Sequence, residues 1–155
     1  MRLGLTGAAL GLSLVLAIWG GVLVEFLYDD RYTLAGSIVV VVAIVLMIQL
    51  IPVTYDQAAL AAGDSGRFFV MVALRAGIQI AAFVIGVELF GLVGAFAGQA
   101  VGLALSYVVV VVLIRPYGVW DPLHDAVAWG AGLAVALLAL GLNRDLLEAL
   151  IAVSA

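Results

Sequence analysis

The chain has 155 residues, of which 67% are hydrophobic and only 10% are charged. Soluble domains contain about 25% charged residues, so a water-soluble fold of this composition could not cover its surface with polar groups. Ten acidic and six basic residues give a net charge of −4, which excludes the basic footprint of a nucleic-acid-binding protein, and the lack of cysteine excludes disulfides and thiolate chemistry.

Five apolar segments predict transmembrane helices, because about 20 apolar residues at 1.5 Å each cross a hydrocarbon core of about 30 Å. The first segment is too long for a cleavable signal sequence, so we interpret it as a retained helix. Short connections predict that residues 1–155 form a single transmembrane domain in the lipid bilayer. We therefore expect an all-α, polytopic membrane helix bundle with about five transmembrane helices over residues 3–24, 32–55, 68–87, 89–114 and 126–143.

Local signals mark where these helices bend, turn or end. Pro52 lacks a backbone donor and predicts a kink or a helix end. The corner from Glu88 to Gly91 is so short that the helices on either side are expected to be antiparallel neighbours. Residues 146–155 are apolar but too short to span the membrane, and the sequence leaves open whether they form an interfacial turn or begin another helix.

The arginines predict the orientation of the chain. Arg2, Arg67 and Arg115 fall on one side of the predicted membrane, whereas Arg31 and Arg144 fall on the other side among acidic residues. Because cytoplasmic loops carry the excess of basic residues, we expect the N-terminus in the cytoplasm and the C-terminus outside the cell's inner (plasma) membrane.

Small residues mark the expected contacts between helices, since membrane helices associate through close packing. Gly94, Gly98 and Gly102 are spaced four residues apart on the fourth segment and predict a helix-packing face. Gly7 and Gly11 form a shorter stripe on the first segment. We favour packing over a role in substrate passage for these glycines.

Arg75 is the least expected residue of the apolar segments. It lies eight residues past Arg67, which predicts a position about 12 Å deeper along the helix and close to the middle of the membrane. Insertion of an arginine there costs about 2.5–3.5 kcal/mol, so such residues often mark a functional path. Gln79 shares the same helix face. The alternative is that Arg75 extends towards the cytoplasmic interface or pairs with a nearby acid.

Two further amides, Gln49 and Gln99, interrupt the second and fourth segments. Hydrogen bonds between helices explain them at least as well as contact with a ligand. Five residues therefore form the set of candidate substrate-binding residues: Arg75, Gln79, Arg67, Gln49 and Gln99.

Catalytic chemistry has little support. His124 lies between Asp121 and Asp125, where an imidazole and carboxylates would be close together in a membrane enzyme. Asp121 followed by Pro122 is also typical of a helix N-cap and first residue, with Asp125 in the first turn, and we favour that interpretation. Since no hydrolase, protease or nucleotide-binding motif occurs in a suitable context, we expect no catalytic residue, no metal site and no cofactor.

Several motifs resemble those of one transporter family. Leu27-Tyr28-Asp29, followed by Tyr32 and Ala35, is similar to an external LYG-x-x-Y-x-x-A turn, with aspartate in place of glycine. The other motifs, in order, are Tyr55 with Ala58-Ala59-Leu60 and Gly63-Asp64-Ser65, the glycine-rich corner from Leu89 to Ala95, and the connection from Arg115 to Asp125. Together they resemble polysaccharide flippases of the Wzx type, in the multidrug/oligosaccharidyl-lipid/polysaccharide exporter superfamily.

The resemblance implies export of lipid-linked oligosaccharide or polysaccharide precursors by alternating access, with Arg75 binding the lipid pyrophosphate. It covers residues 19–125 and only the later part of a C-terminal lobe. The chain is therefore expected to be a fragment of a longer protein, or to form a homo-oligomer or join a partner that supplies the missing lobe. The alternative is a non-transporting scaffold or partner subunit that assembles through Gly94, Gly98 and Gly102.

Overall fold

The computed structural model describes residues 2–28 and 33–154, and within them every regular element is a helix. The predicted all-α helix bundle is confirmed. The predicted external turn at residues 29–32, which includes Arg31, lies outside the described residues. The elements are α1 (Arg2–Leu27), α2 (Thr33–Val53), α3 (Ala58–Ala61), α4 (Ser65–Ile114), a 3-10 turn (Arg115–Tyr117), α5 (Pro122–Leu142) and α6 (Arg144–Ser154).

Helix α4 is a hairpin of two antiparallel arms, residues 65–89 and 92–114. Phe90 (φ −140°, ψ 19°) and Gly91 (φ 58°, ψ −135°) depart from helical geometry, and the chain reverses there. The positive φ of Gly91 is a conformation that glycine adopts without steric cost. The tight corner between antiparallel neighbours, predicted from the sequence, is confirmed.

Glycines bring the two arms of α4 into backbone contact. A Cβ atom on Gly94 would overlap the carbonyl oxygen of Gly86, and one on Gly98 would overlap that of Ala82. Gly102 continues this face and is also buried. In a straight helix Ala82 and Gly98 would be about 24 Å apart, so these contacts exist only because the chain turns back. The three predicted packing glycines thus lie against the chain's own first arm.

Helices α1 and α2 form the most extensive helix pair of the bundle. A Cβ atom on Gly20 would come within 2.8 Å of a valine side chain of α2, and one on Gly36 would lie 3.1 Å from the Cα atom of Gly21. Gly7 and Gly11 are exposed, and nothing lies within 4 Å of a Cβ atom placed on either. The close contact between α1 and α2 therefore uses glycines further along α1 than the predicted stripe.

Four helical stretches are long and apolar enough to cross a membrane: Thr6–Leu27, Leu34–Ala61, Ser65–Tyr117 and Pro122–Leu142. Ser65–Tyr117 contains both arms of the α4 hairpin, so the five predicted apolar segments are all present. Large apolar side chains cover the outside of the bundle, as a lipid environment requires. The chain is a multi-pass membrane protein. Examples of these exposed side chains are Phe69, Phe83, Val108, Leu133 and Leu137.

Pro52 and Asp121 lie at helix ends, as the sequence predicted. Pro52 lies in the last turn of α2, which ends at Val53. Asp121 is the N-cap of α5, because its carboxylate accepts the backbone N–H of His124 at 3.0 Å, and Pro122 is the first residue of that helix. Helix α5 therefore begins four residues before the predicted start of its span at residue 126.

Residues 144–154 are helical and form α6. The helix packs against α2 and α4. Leu150 is only 3% exposed, so α6 docks onto the bundle through an apolar residue.

Candidate functional site

Polar side chains concentrate at one end of the bundle, where α1 begins, α2 ends, α4 begins and ends, and α5 begins. We call this the polar end. Four of the six buried polar or charged residues in the described part of the chain lie there: Thr6, Arg75, His124 and Asp125. Helix ends from distant parts of the sequence therefore bring polar and ionisable side chains together at one end of the bundle.

Asp125 is the centre of a buried hydrogen-bond network. Its carboxylate accepts the Tyr55 hydroxyl at 2.8 and 2.9 Å and the Tyr107 hydroxyl at 2.8 Å. Nδ1 of His124 lies 3.2 Å from one carboxylate oxygen, and Nε2 of the same ring lies 3.4 Å from the hydroxyl of Thr6. We call these five residues the Asp125 cluster. The cluster joins α1, the end of α2, the second arm of α4 and the start of α5.

Hydrogen-bond donors make it possible to bury the Asp125 side chain. The residue is 1% exposed, and burying a carboxylate without partners would be very costly. Hydroxyl donors to a carboxylate give strong, charge-assisted hydrogen bonds. The Tyr55 hydroxyl also accepts the backbone N–H of Asp121 at 3.2 Å, which links the cluster to the N-cap of α5. The arrangement holds the Asp125 carboxylate and several helix ends in place.

The sequence interpretation favoured Asp125 as a first-turn residue of α5 and considered it beside His124 as an alternative. It missed Tyr55, Tyr107 and Thr6, because their convergence depends on how four helices pack. A usable signal existed: Tyr55 ends the second predicted segment and Asp125 directly precedes the fifth, so the predicted topology puts both at the same side of the membrane. Within the described residues, no group of three or more histidine, aspartate or glutamate side chains is arranged to hold a metal ion.

Arg75 forms an ion pair with Asp56 through its Nη1 atom. The arginine side chain is 9% exposed, and its Nε has no hydrogen-bond partner among the described residues. Asp56 lies three residues beyond Val53, the last residue of α2, so the guanidinium lies near the polar end. Helical side chains lean towards the N-terminus and arginine is long, so the guanidinium reaches Asp56 from a backbone position deeper along the helix. The structure shows the pairing that the sequence had left as the alternative.

The three candidate amides occupy different surroundings. Gln79 Nε2 lies 3.4 Å from the Ser106 hydroxyl, which itself donates to the Gly102 carbonyl at 2.7 Å, so Gln79 links the two arms of α4. Gln49 and Gln99 are half-buried, and neither side chain makes a hydrogen bond to the described residues.

Arg67 lies at the start of α4, beside an aspartate. Its Nε is 3.7 Å from the Asp64 carboxylate, and its guanidinium is 5.5 Å from the centroid of the Tyr117 ring. Asp64 caps α4: the backbone N–H of Arg67 and then the hydroxyl of Tyr117 hold the pKa of its carboxyl below the usual value.

No hydrogen bond or ion pair joins any two of the five candidate residues in the part of the chain described.

An open apolar groove runs along the seam where the two arms of α4 meet and has a volume of about 510 Å³. We call it the hairpin cleft. Its lining is formed by aliphatic and aromatic side chains and by glycine, from Phe90 near the turn to Ile78 and Leu105 nearer the polar end. Ile78 follows Arg75 by three residues on the same arm, so the cleft approaches the buried arginine.

Comparisons with protein-family models, with curated proteins and with solved structures find no match to this chain. The resemblance to Wzx-type flippases therefore rests on the motifs described above. Function has to be argued from the contacts within the chain.

Proposed function

We propose that this chain is a transport module of the inner (plasma) membrane that moves an anionic lipid-linked glycan precursor, with its N-terminus in the cytoplasm. Arg75 is the observation that carries the proposal: it is buried, and its Nε lacks a partner among the described residues. A buried donor without an acceptor costs free energy, so an incoming oxygen is favoured there. Guanidinium also suits phosphate, because its N–H groups bind two oxygens at once.

The hairpin cleft supports the lipid part of the proposal. Ile78 in its lining lies about 4.5 Å along the helix axis from Arg75, on the same face of the arm. An amphiphilic ligand fits this layout with its hydrocarbon chain in the cleft and its phosphate beside Arg75. The glycan would then extend from the polar end into water.

Asp56 serves as the counter-ion of Arg75 when no ligand is bound. A phosphate beside the arginine would repel this carboxylate, so ligand binding is expected to separate Asp56 from Arg75. Asp56 lies in the connection between α2 and α3, and the separation therefore requires no change within a long helix.

Alternating access needs two lobes. In this proposal the second lobe comes from a longer protein of which this chain is a part, from a second copy of the chain or from a separate protein. The competing scaffold function depended on Gly94, Gly98 and Gly102 contacting a partner. Those glycines contact the first arm of the same hairpin, so no observation favours that function.

The first test measures binding of farnesyl pyrophosphate, which carries a pyrophosphate on a short isoprenoid chain, to the purified protein in detergent. We expect saturable binding that Arg75→Gln weakens at least tenfold, since one hydrogen bond to a charged group contributes about 1.5–3 kcal/mol. Arg144→Gln is the matched control, because Arg144 is exposed at the opposite end of the bundle. Farnesol, which lacks the phosphates, should bind weakly to all variants.

Binding that is unchanged in a folded Arg75→Gln variant would remove the assigned role of Arg75. Absence of binding to the wild-type protein would remove the substrate class itself. Transport is then measured with a fluorescent polyprenyl-pyrophosphate disaccharide in vesicles, where wild type should exceed both empty vesicles and Arg75→Gln.

A further inference from the structure

Arg115 is an exposed cation separate from the Arg75 site. Its guanidinium lies 5.1 Å from the centroid of the Trp120 ring. It has no ion pair among the described residues, whereas Arg67 and Arg75 are each paired with an aspartate. A cation–π contact uses the ring face and no hydrogen-bond acceptor, so the N–H donors of the guanidinium remain available to an anion.

The surroundings of Arg115 match a membrane boundary. Helix α4 ends at Ile114 and α5 begins at Pro122, so the connection between them lies where two membrane-crossing helices end. Val119 is 41% exposed and Leu123 is 75% exposed. Exposed apolar side chains fit hydrocarbon, and a tryptophan with an arginine is typical of the headgroup layer.

Arg67 provides an internal comparison. It also lies over an aromatic ring, that of Tyr117, but the Asp64 carboxylate 3.7 Å from its Nε already supplies a negative charge. At Arg67 an external anion would have to compete with the Asp64 carboxylate. No carboxylate among the described residues forms an ion pair with Arg115, so an anion there meets no such competitor.

We propose that Arg115 and Trp120 form a binding site for the phosphate of an anionic phospholipid, in the leaflet that meets the polar end of the bundle. Trp120 holds the guanidinium through the cation–π contact, and the phosphate oxygens accept its N–H groups in a bidentate contact. The acyl chains of the lipid lie against Val119 and Leu123. A zwitterionic lipid binds less well, because the cation of its headgroup is repelled by Arg115.

The test uses the full chain in nanodiscs that contain phosphatidylglycerol and phosphatidylcholine in equal amounts. Native mass spectrometry then measures which lipid the released protein retains. We expect wild type to retain mainly phosphatidylglycerol, and Arg115→Gln to lower that preference about fivefold, the factor expected for one arginine at an anionic membrane surface. Arg144→Gln removes the same charge at the opposite end and should retain the wild-type preference.

An unchanged preference in Arg115→Gln would overturn the proposal. So would an equal loss in Arg144→Gln, because net charge alone would then explain the effect. Displacement of phosphatidylglycerol by inorganic phosphate would assign the site to free phosphate and not to a lipid. Since Arg115 is separate from Arg75, failure of this site leaves the farnesyl pyrophosphate test unaffected, and the reverse also holds.

Discussion

Two buried ionisable side chains at the polar end are stabilised by different kinds of partner. Arg75 has an opposite charge on Asp56, whereas Asp125 is surrounded by the hydroxyls of Tyr55 and Tyr107 and by the His124 ring. Removing one partner of such a buried group leaves the other without compensation. Hydroxyl donors can be removed one at a time, so the Asp125 cluster allows single contacts to be measured.

Tyr55→Phe is expected to destabilise the bundle more than Tyr107→Phe. The Tyr55 hydroxyl donates to Asp125 and also accepts the Asp121 backbone N–H, whereas the Tyr107 hydroxyl donates to Asp125 and accepts no backbone N–H among the described residues. Single hydrogen bonds between membrane helices contribute about 0.6 kcal/mol on average and at most about 1.7 kcal/mol. We therefore expect a loss of about 0.6 kcal/mol for Tyr107→Phe and about 1–1.7 kcal/mol for Tyr55→Phe, measured by unfolding in mixed detergent micelles.

If neither substitution lowered the stability, the Asp125 cluster would not be holding helices together. Equal losses for the two variants would show that the contact with the Asp121 backbone N–H adds nothing.

At the scale of the elements, α4 shows why the reversal of the chain could be predicted from the sequence, whereas the distance between its two arms could not. The short connection at Glu88 to Gly91 restricts the chain to a sharp reversal, and this constraint is local. The distance between the arms depends on which faces meet. Only the structure shows that Gly94 and Gly98 meet the backbone of Gly86 and Ala82 and not a separate helix.

Gly98→Ala and Gly11→Ala make the same chemical change with opposite expected effects. A Cβ atom on Gly98 overlaps the Ala82 carbonyl oxygen, whereas a Cβ atom on Gly11 has nothing within 4 Å. Gly98→Ala must separate the arms, at a cost of about 1–3 kcal/mol as in other overpacked contacts. Gly11→Ala should be neutral or stabilising by up to about 1 kcal/mol, because alanine favours helix.

The same unfolding assay compares the two glycine variants. Equal stability of Gly98→Ala and wild type would show that the arms do not pack at backbone distance.

At the scale of the whole molecule, composition and spacing predicted the membrane class, the five apolar segments and the N-cap at Asp121, because each of these depends on nearby residues. The Asp125 cluster could not be predicted in the same way, since Tyr55 and Asp125 are 70 residues apart. The sequence predicted a depth for Arg75 along its own helix but left its partner open. Its ion pair with Asp56 depends on where the neighbouring helix ends.

The topology of the whole chain can be tested directly, because the natural sequence contains no cysteine. Gln57 is exposed at the polar end, and Glu88 is exposed beside the hairpin turn at the opposite end. With the polar end in the cytoplasm, as the positive-inside rule predicts, Glu88→Cys should react with a membrane-impermeant maleimide in intact cells. Gln57→Cys should react only after the membrane is permeabilised, and the cysteine-free parent chain should not react at all. The reverse labelling pattern would invert the orientation and place Arg75 and Arg115 at the outer leaflet. Labelling of both sites in intact cells would instead contradict the prediction that the first arm of α4 crosses the membrane.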